Sequence, residues 1–348
     1  MDVKKSPPLT EKTAQAVDPP PPFDLAARKA EHPHRMTNEV QEPGERREGG
    51  SIPSDGGAAF TSFVPDALPV PILIAVPHAG REYPDNLTAA MRDPPFAKMR
   101  LEDRYVDRIG EAVAAATGAA LLVAKAPRAL LDLNRAPDDI DWSMVADGAG
   151  QRPANSASNR RARGGLGLVP RRVPGLGEVW KRRLTRADLE ARIAGVHRPY
   201  HQEASAILER LRDRWGAALL IDLHSMPPLR RSGSPGEPVE FVLGDRFGAS
   251  ASGSLSAHAL RFMAHAERRM AHNRPYSGGY VLERQAAPRR GIHGLQIEVC
   301  RSIYLDAQLD QPGPRLPAVA RVLSGLVRSL AHEVAAFGDP GVLSYAAE

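Results

Sequence analysis

The sequence predicts a three-layer α/β/α protein built on a central mixed, mostly parallel sheet. Short apolar runs bounded by turn residues recur along the chain, at residues 70–76, 119–124 and 217–223, and their length suits buried strands. Longer stretches with helical apolar spacing lie between the runs, and strands alternating with helices imply helices on both faces of a sheet. No apolar run approaches the roughly 20 residues that a membrane span needs.

Taken in order, residues 1–65 are rich in Pro, Glu, Lys, Arg and Gly, including the run Pro19 to Pro22. Such a segment buries too little apolar surface to offset its ordering entropy, so a disordered tail is expected there and one folded domain over 66–348. The first strand is expected at 70–76, ended by Pro77. A helix follows over 101–116, with Ile109, Val113 and Ala116 on one side. Further strands are expected at 119–124, 217–223, 241–243 and 292–300, the last alternating Ile, Leu, Ile and Val with polar residues. Helices are expected at 184–196, 203–215, 255–272 and 319–337. The connection 147–177, dense in Gly, Pro, Arg and Asn, is longer than an ordinary loop, and such loops are functional or mobile.

Composition excludes several classes. A single cysteine, Cys300, rules out an internal disulfide framework and fits a reducing compartment. The first 22 residues carry lysines but no apolar centre, so they do not read as a secretory signal, and the cytoplasm is the expected location. The net charge of +5 is small for 348 residues. Much of the basic character sits in residues 160–183. That stretch is either a solvated basic loop, a phosphate-binding groove, or a source of arginines for a small anionic substrate.

Chemistry is expected where buried strands end, because sites in open α/β sheets lie beyond the carboxyl ends of strands. His78 follows the first strand in the segment Val76-Pro77-His78-Ala79-Gly80, where small neighbours leave the imidazole uncrowded. Asp222 and His224 lie two apart on another strand and share a face. Two such histidines are either satisfied core residues or metal ligands, and an Asp–His pair is what surrounds a metal centre. A carboxylate would complete a His₂–carboxylate site. Glu102, Asp103 and Asp107 are the candidates, each also explicable as an acid favoured by a helix N-terminus. Asn134 and Arg135 end the segment Leu131-Asp132-Leu133-Asn134-Arg135. There Arg135 either clamps a substrate carboxylate in bidentate fashion or pairs with Asp132 at the surface. Glu298 interrupts an apolar strand and is either a general base or the ion-pair partner of an arginine such as Arg301.

Competing chemistries fail on spacing. His197 and His201 are four apart, but Pro199 lies between them and the glutamate of a metalloprotease helix is missing. Ser225 lacks a nucleophile elbow. Ser277-Gly278-Gly279 lacks the lysine and spacing of a phosphate loop.

The segments VPHAG, EDRYVD, LLDLNR, GLGLVPR, RPYH, IDLHSM, VLGD, RPYSGGYV and GLQIEVCRSIY occur in the order found in N-formylglutamate amidohydrolases, a resemblance covering about residues 70–310. The resemblance implies a zinc-exopeptidase-like fold and hydrolysis of the amide bond of N-formyl-L-glutamate to formate and glutamate, a step of histidine breakdown. It implies Zn²⁺ held by His78, Asp103 and His224, with Glu298 as general base. It further implies Asn134 and Arg135 in a carboxylate clamp, with Tyr276, Gly278, Gly279 and Arg301 lining a pocket for a small anionic N-acyl amino acid. Ala79, where the family often has serine, and Arg104, where many members have an aromatic residue or threonine, depart from the pattern. The departure at Arg104 bears on the acidic ligand, which Glu102 or Asp107 would otherwise supply. Other readings are the same chemistry on another N-acyl amino acid or a short peptide, or a non-catalytic descendant binding an anion or nucleic acid through residues 160–183.

Overall fold

The computed structural model describes residues 43–54, 56–146, 160–229 and 238–338. Its strands are β1 (Gly44–Gly49), β2 (Phe60–Pro65), β3 (Ile72–Val76), β4 (Ala120–Ala124), β5 (Arg172–Val173), β6 (Gly177–Glu178), β7 (Ala218–Met226), β8 (Phe241–Gly244), β9 (Met270–His272) and β10 (Ile292–Cys300). Its α-helices are α1 (Asp85–Ala90), α2 (Pro94–Leu101), α3 (Val106–Thr117), α4 (Arg160–Arg163), α5 (Arg186–Arg192), α6 (Arg198–Trp215), α7 (Gly253–His265), α8 (Tyr280–Gln285) and α9 (Leu316–Phe337).

Among the described residues, eight strands form one sheet in the order β1-β2-β4-β3-β7-β10-β8-β9, while β5 and β6 pair with each other. The central strands β4, β3, β7 and β10 run parallel. Antiparallel pairing of β1 with β2, β2 with β4 and β8 with β10 makes the sheet mixed. All nine residues of β7 and of β10 are buried, as expected for strands covered on both faces. One face, with Leu219, Ile221 and Leu223 of β7 and Leu295, Ile297 and Val299 of β10, packs against α3, α7 and α9. The opposite face meets α5, α6 and α8 through residues such as Leu189, Tyr200, Leu208 and Leu282. No helix among the described residues is long and apolar enough to cross a membrane.

Four expectations need correction. The tail expected over 1–65 does not extend that far, because residues 44–49 and 60–65 are the strands β1 and β2, and Phe60 and Val64 are core residues. Residues 1–42 lie outside the described residues. The helix expected over 101–116 is broken. Glu102 is extended and Tyr105 is left-handed (φ 57°), so α2 and α3 are separate. The backbone between them bonds to other parts of the molecule: the Asp103 amide donates to the His78 carbonyl at 3.0 Å, and Arg301 donates to the Glu102 carbonyl. The helix expected over 255–272 ends at His265, and residues 270–272 become β9 beside β8. Of the connection 147–177, residues 147–159 lie outside the described residues.

The fourth correction joins the helices expected at 184–196 and 203–215. They form one continuous helical run, with a π turn at Ile193–His197 between α5 and α6. Pro199 has no amide proton to give to the carbonyl four residues back. That carbonyl, of Gly195, instead accepts from the Ser51 amide at 2.8 Å. The approach is close enough to require glycine, since a Cβ on Gly195 would lie 2.5 Å from the Ser51 carbonyl oxygen. Replacing Gly195 by Ala is therefore expected to destabilise the protein by about 1–3 kcal/mol, read as a lower urea midpoint. The same change at Gly253, where an added methyl group meets nothing within 4 Å, should leave the midpoint unchanged or raise it.

Candidate active site

The polar residues noted at strand ends converge because of sheet register. In the parallel pair β7–β10, Asp222 lies beside Gln296 and His224 beside Glu298, so all four share the face that carries α6 and α8. His78 lies two residues beyond β3, the neighbour of β7 on its other side. Asp103 enters from the link between α2 and α3. His78, Asp103, His224, Gln296 and Glu298, with Asn134, Arg135 and Tyr276, line an open cavity of about 510 Å³, and Asp222 lies buried behind His224.

The centre of the cavity is a carboxylate between two imidazoles. The Asp103 Oδ2 atom lies 3.0 Å from His224 Nδ1 and 3.6 Å from His78 Nδ1, and all three residues are buried. The far nitrogen of each ring faces a second carboxylate: His78 Nε2 is 2.6 Å from Asp132 Oδ1, and His224 Nε2 is 3.0 Å from Asp222 Oδ2. An ionised carboxylate only accepts, so Nε2–H donates to Asp132 and, in a neutral ring, the Nδ1 lone pair of His78 points at Asp103. A neutral His224 donating to Asp222 would do the same. Two imidazole lone pairs and a carboxylate oxygen, all within 4.8 Å of one another, suit a divalent cation, each histidine being oriented by an outer carboxylate.

Without a cation, protons take up that role. Burial pulls the His224 imidazole down, but the charges of Asp222 and Asp103 outweigh it and hold the group well above its ordinary value. Burial likewise raises Asp103, yet hydrogen bonds from His224 and His78 keep its carboxyl well below the usual range. Asp132 is also held low, because Arg128, His78 and Arg135 together overcome its burial. Glu298 differs. Burial dominates, Asp103 and Asp222 add to it, and the carboxyl is pushed up to about 7. Its Oε1 accepts from Gln296 Nε2 at 2.9 Å.

Each acid and arginine named from the sequence now has a place. Of the three candidate acids, only Asp103 reaches the histidines. Asp107, in the first turn of α3, makes a two-bond pair with Arg81 (2.9 and 2.7 Å), and Glu102 pairs with Arg104 at 2.9 Å. Arg301 borders the cavity, as the pocket reading of it requires, but its donors go elsewhere than to Glu298, which corrects the ion-pair reading. They go to Ser225 Oγ (3.1 Å), the Met99 carbonyl (3.1 Å), the Glu102 carbonyl and Asp103 Oδ1 (3.3 Å). It pairs with the segment that presents Asp103, not with Glu298. Asp132 is no surface partner of Arg135. It is 1% exposed and bonded to His78 and, at 2.9 Å, to Arg128.

Arg135 donates to the Leu166 carbonyl (2.9 Å) and the Asn134 carbonyl (2.6 Å), while its Nη2 stays 3.9 Å from Asp132. The Asn134 side chain bridges the site: Oδ1 accepts from the Val281 amide at 2.8 Å, and Nδ2 is 3.3 Å from His224 Nε2. Gly279 permits this, since a Cβ there would lie 2.4 Å from Asn134 Oδ1. The pair excluded as metalloprotease ligands has another task. His197 Nε2 donates to the Arg135 carbonyl (2.9 Å) and His201 Nε2 to the Leu133 carbonyl (3.0 Å). Sequence reasoning missed this task for the pair, as it missed Arg128 and Gln296. The signals available were the spacing of the histidines either side of Pro199 and the pairing of Gln296 with Glu298 on one strand face. In the basic stretch, Arg171 and Arg172 pair with Asp141 and Glu178 respectively, at 2.9 and 2.7 Å.

The family model of N-formylglutamate amidohydrolase matches residues 70–305. The chain is similar to an N-formylglutamate deformylase of Pseudomonas aeruginosa, 28% identical over 278 residues that cover 77% of this chain and 94% of the relative. It is 30% identical to an N-formylglutamate deformylase of Pseudomonas putida over 246 residues, 68% of this chain and 82% of the relative. Among solved structures, an N-formylglutamate amidohydrolase from Ralstonia eutropha JMP134 superimposes with a TM-score of 0.71 at 30% identity, covering 79% of this chain and 98% of that one.

The environment of Glu298 generates a stability prediction. Its carboxyl rises from an ordinary value near 4.5 to about 7 on folding, so the neutral form is the one the fold prefers. The stability it contributes is fully present below pH 4.5 and lost as pH rises through about 7. Metal-free Glu298→Gln is therefore expected to melt roughly 5 °C above metal-free wild type at pH 8. At pH 5 the two should nearly coincide. Parallel melting curves across the range would refute the assignment.

Proposed function

Since the chain belongs to the N-formylglutamate amidohydrolase family, we propose that its cavity hydrolyses the amide bond of N-formyl-L-glutamate, releasing formate and glutamate. One observation carries the reading: a buried His78–Asp103–His224 cluster opens into the same cavity as the buried carboxyl of Glu298, held beside His224 by the strand register.

In this reading His78, Asp103 and His224 hold a zinc ion, the metal that a His₂–carboxylate donor set with outer carboxylates suits. When bound, zinc supplies Lewis-acid polarisation of the formyl carbonyl and makes water more acidic. The protein does the rest. Glu298, ionised at and above neutral pH, takes the proton from the attacking water, and in its protonated form delivers it to the departing amine nitrogen. Gln296 Nε2 donates to Glu298 Oε1 and so orients the carboxyl for both transfers. Arg135 binds the substrate's α-carboxylate through Nη2, with its other donors fixing the angle of the guanidinium. Asn134, Gly278 and Gly279 shape the wall beside it, and Tyr276 narrows the cavity. The expected cytoplasmic location suits a small anionic substrate and two small products of amino-acid breakdown.

Removing metal with a chelator is expected to abolish release of formate from N-formyl-L-glutamate, with activity restored by zinc. His224→Ala should lose both bound metal and turnover. Glu298→Gln should keep the metal, bind substrate with little change in KM, and lower kcat by at least ~10²-fold. Full turnover by metal-free protein, or by Glu298→Gln, would overturn the mechanism.

A further inference from the structure

Five arginines border the cavity: Arg100, Arg128, Arg135, Arg161 and Arg301. Three are committed within the protein, and Arg135 keeps Nη2 for the α-carboxylate. Arg128 is bonded to Asp132, and Arg301 to Asp103 and neighbouring carbonyls. Arg100 donates to the Pro174 carbonyl at 3.1 Å and lies over the Phe96 ring. Arg135 is held by two carbonyls. The guanidinium of Arg161 has no hydrogen bond, ion pair or ring contact with a described residue, and its charge acts on Arg135.

The placement of Arg161 is built rather than incidental. Its own carbonyl accepts from the Leu166 amide at 3.0 Å, and the Leu166 carbonyl in turn accepts from Arg135 Nε at 2.9 Å. The next residue, Ala162, is buried, and its amide donates to Asp139 Oδ1 at 3.2 Å. Asp139 also takes the Leu168 amide on its carbonyl at 2.6 Å. The backbone that carries Arg161 is thus pinned to the loop that carries Arg135, and the charge of Arg161 acts against that of Arg135, which Asp132 and Asp139 offset in part. Such an arrangement is unfavourable until an anion joins it. Arg135 lies inside and is 8% exposed, whereas Arg161 is exposed at the rim.

We infer that Arg161 is the specificity residue of this cavity, binding the side-chain carboxylate of an N-acyl amino diacid whose α-carboxylate is held by Arg135. The assignment rests on the proposal that the cavity takes an N-formyl amino acid, and it adds how glutamate is told from its uncharged isostere, glutamine. Tripling the measurement separates the two ideas: metal-loaded wild type, Arg161→Gln and Arg161→Lys are assayed on N-formyl-L-glutamate and N-formyl-L-glutamine. Each is also titrated with free L-glutamate and L-glutamine, which needs no turnover. In wild type kcat/KM favours the glutamate substrate. In Arg161→Gln that ratio falls by about 10–100-fold, chiefly through KM, and Arg161→Lys keeps part of it. Binding of L-glutamate weakens in parallel. A ratio and a binding preference unchanged in Arg161→Gln overturn the assignment while leaving the deformylase reading intact. Wild type that hydrolyses neither substrate, yet prefers L-glutamate in an Arg161-dependent way, sinks the deformylase reading and upholds the assignment.

Discussion

The buried carboxylate of Asp103 is the constraint around which the rest is arranged. An ion of that size removed from water costs several kcal/mol unless it is fully partnered, and Asp103 is 3% exposed. Its partners come from three parts of the chain: His78 after β3, His224 on β7 and Arg301 after β10. Helical continuity between residues 101 and 106 is sacrificed to it, since the Asp103 amide and the Glu102 carbonyl bond to the His78 carbonyl and to Arg301 instead of to helical partners four residues away. The parallel alignment of β7 with β10 then sets Glu298 beside His224 at the same level of the sheet.

The two faces of the sheet divide the labour. On the face of α3, α7 and α9 the middle residues of the strands are apolar, with His293 and Ser225 only near the strand ends, and that side supplies burial energy. On the other face the apolar residues of β7 stop at Leu220, and Asp222 and His224 take over toward the carboxyl end. The cost of those buried polar groups is met by outer partners: Asp132 under His78, Arg128 under Asp132, Gln296 beside Glu298. None of these touches the cavity's centre in the way the histidines do, yet removing one strands a buried charge.

Much of this was legible in the sequence because strands and strand ends write a local pattern. The apolar runs placed β3, β4, β7 and β10 within a few residues, and the polar residues interrupting them marked His78, Asp222, His224 and Glu298. Resemblance of short motifs singled out Asp103 among three neighbouring acids. What stayed hidden depends on contacts distant in the chain. Nothing near Arg301 says that its donors are spent on residues 99–103. The strands β1 and β2 read as a tail because Gly and charged residues dominate residues 44–49, and only pairing with β2 and β4 makes that edge a sheet. The break at Tyr105 and the fusion of α5 with α6 through a π turn both arise from tertiary hydrogen bonds that override local helix preference.

That fusion bears on where this protein can be cut and rejoined. The family match covers residues 70–305, but Ser51 lies ahead of it and donates to the Gly195 carbonyl. The π turn so fixed sets the rotational phase of His197 and His201, and these two rings hold the carbonyls of Arg135 and Leu133. A chimera that exchanged only the matched segment between relatives would sever this relay at its first link, far from any residue that meets substrate. The natural recombination boundary of the fold therefore lies upstream of β1, and the transferable unit is longer than its motifs.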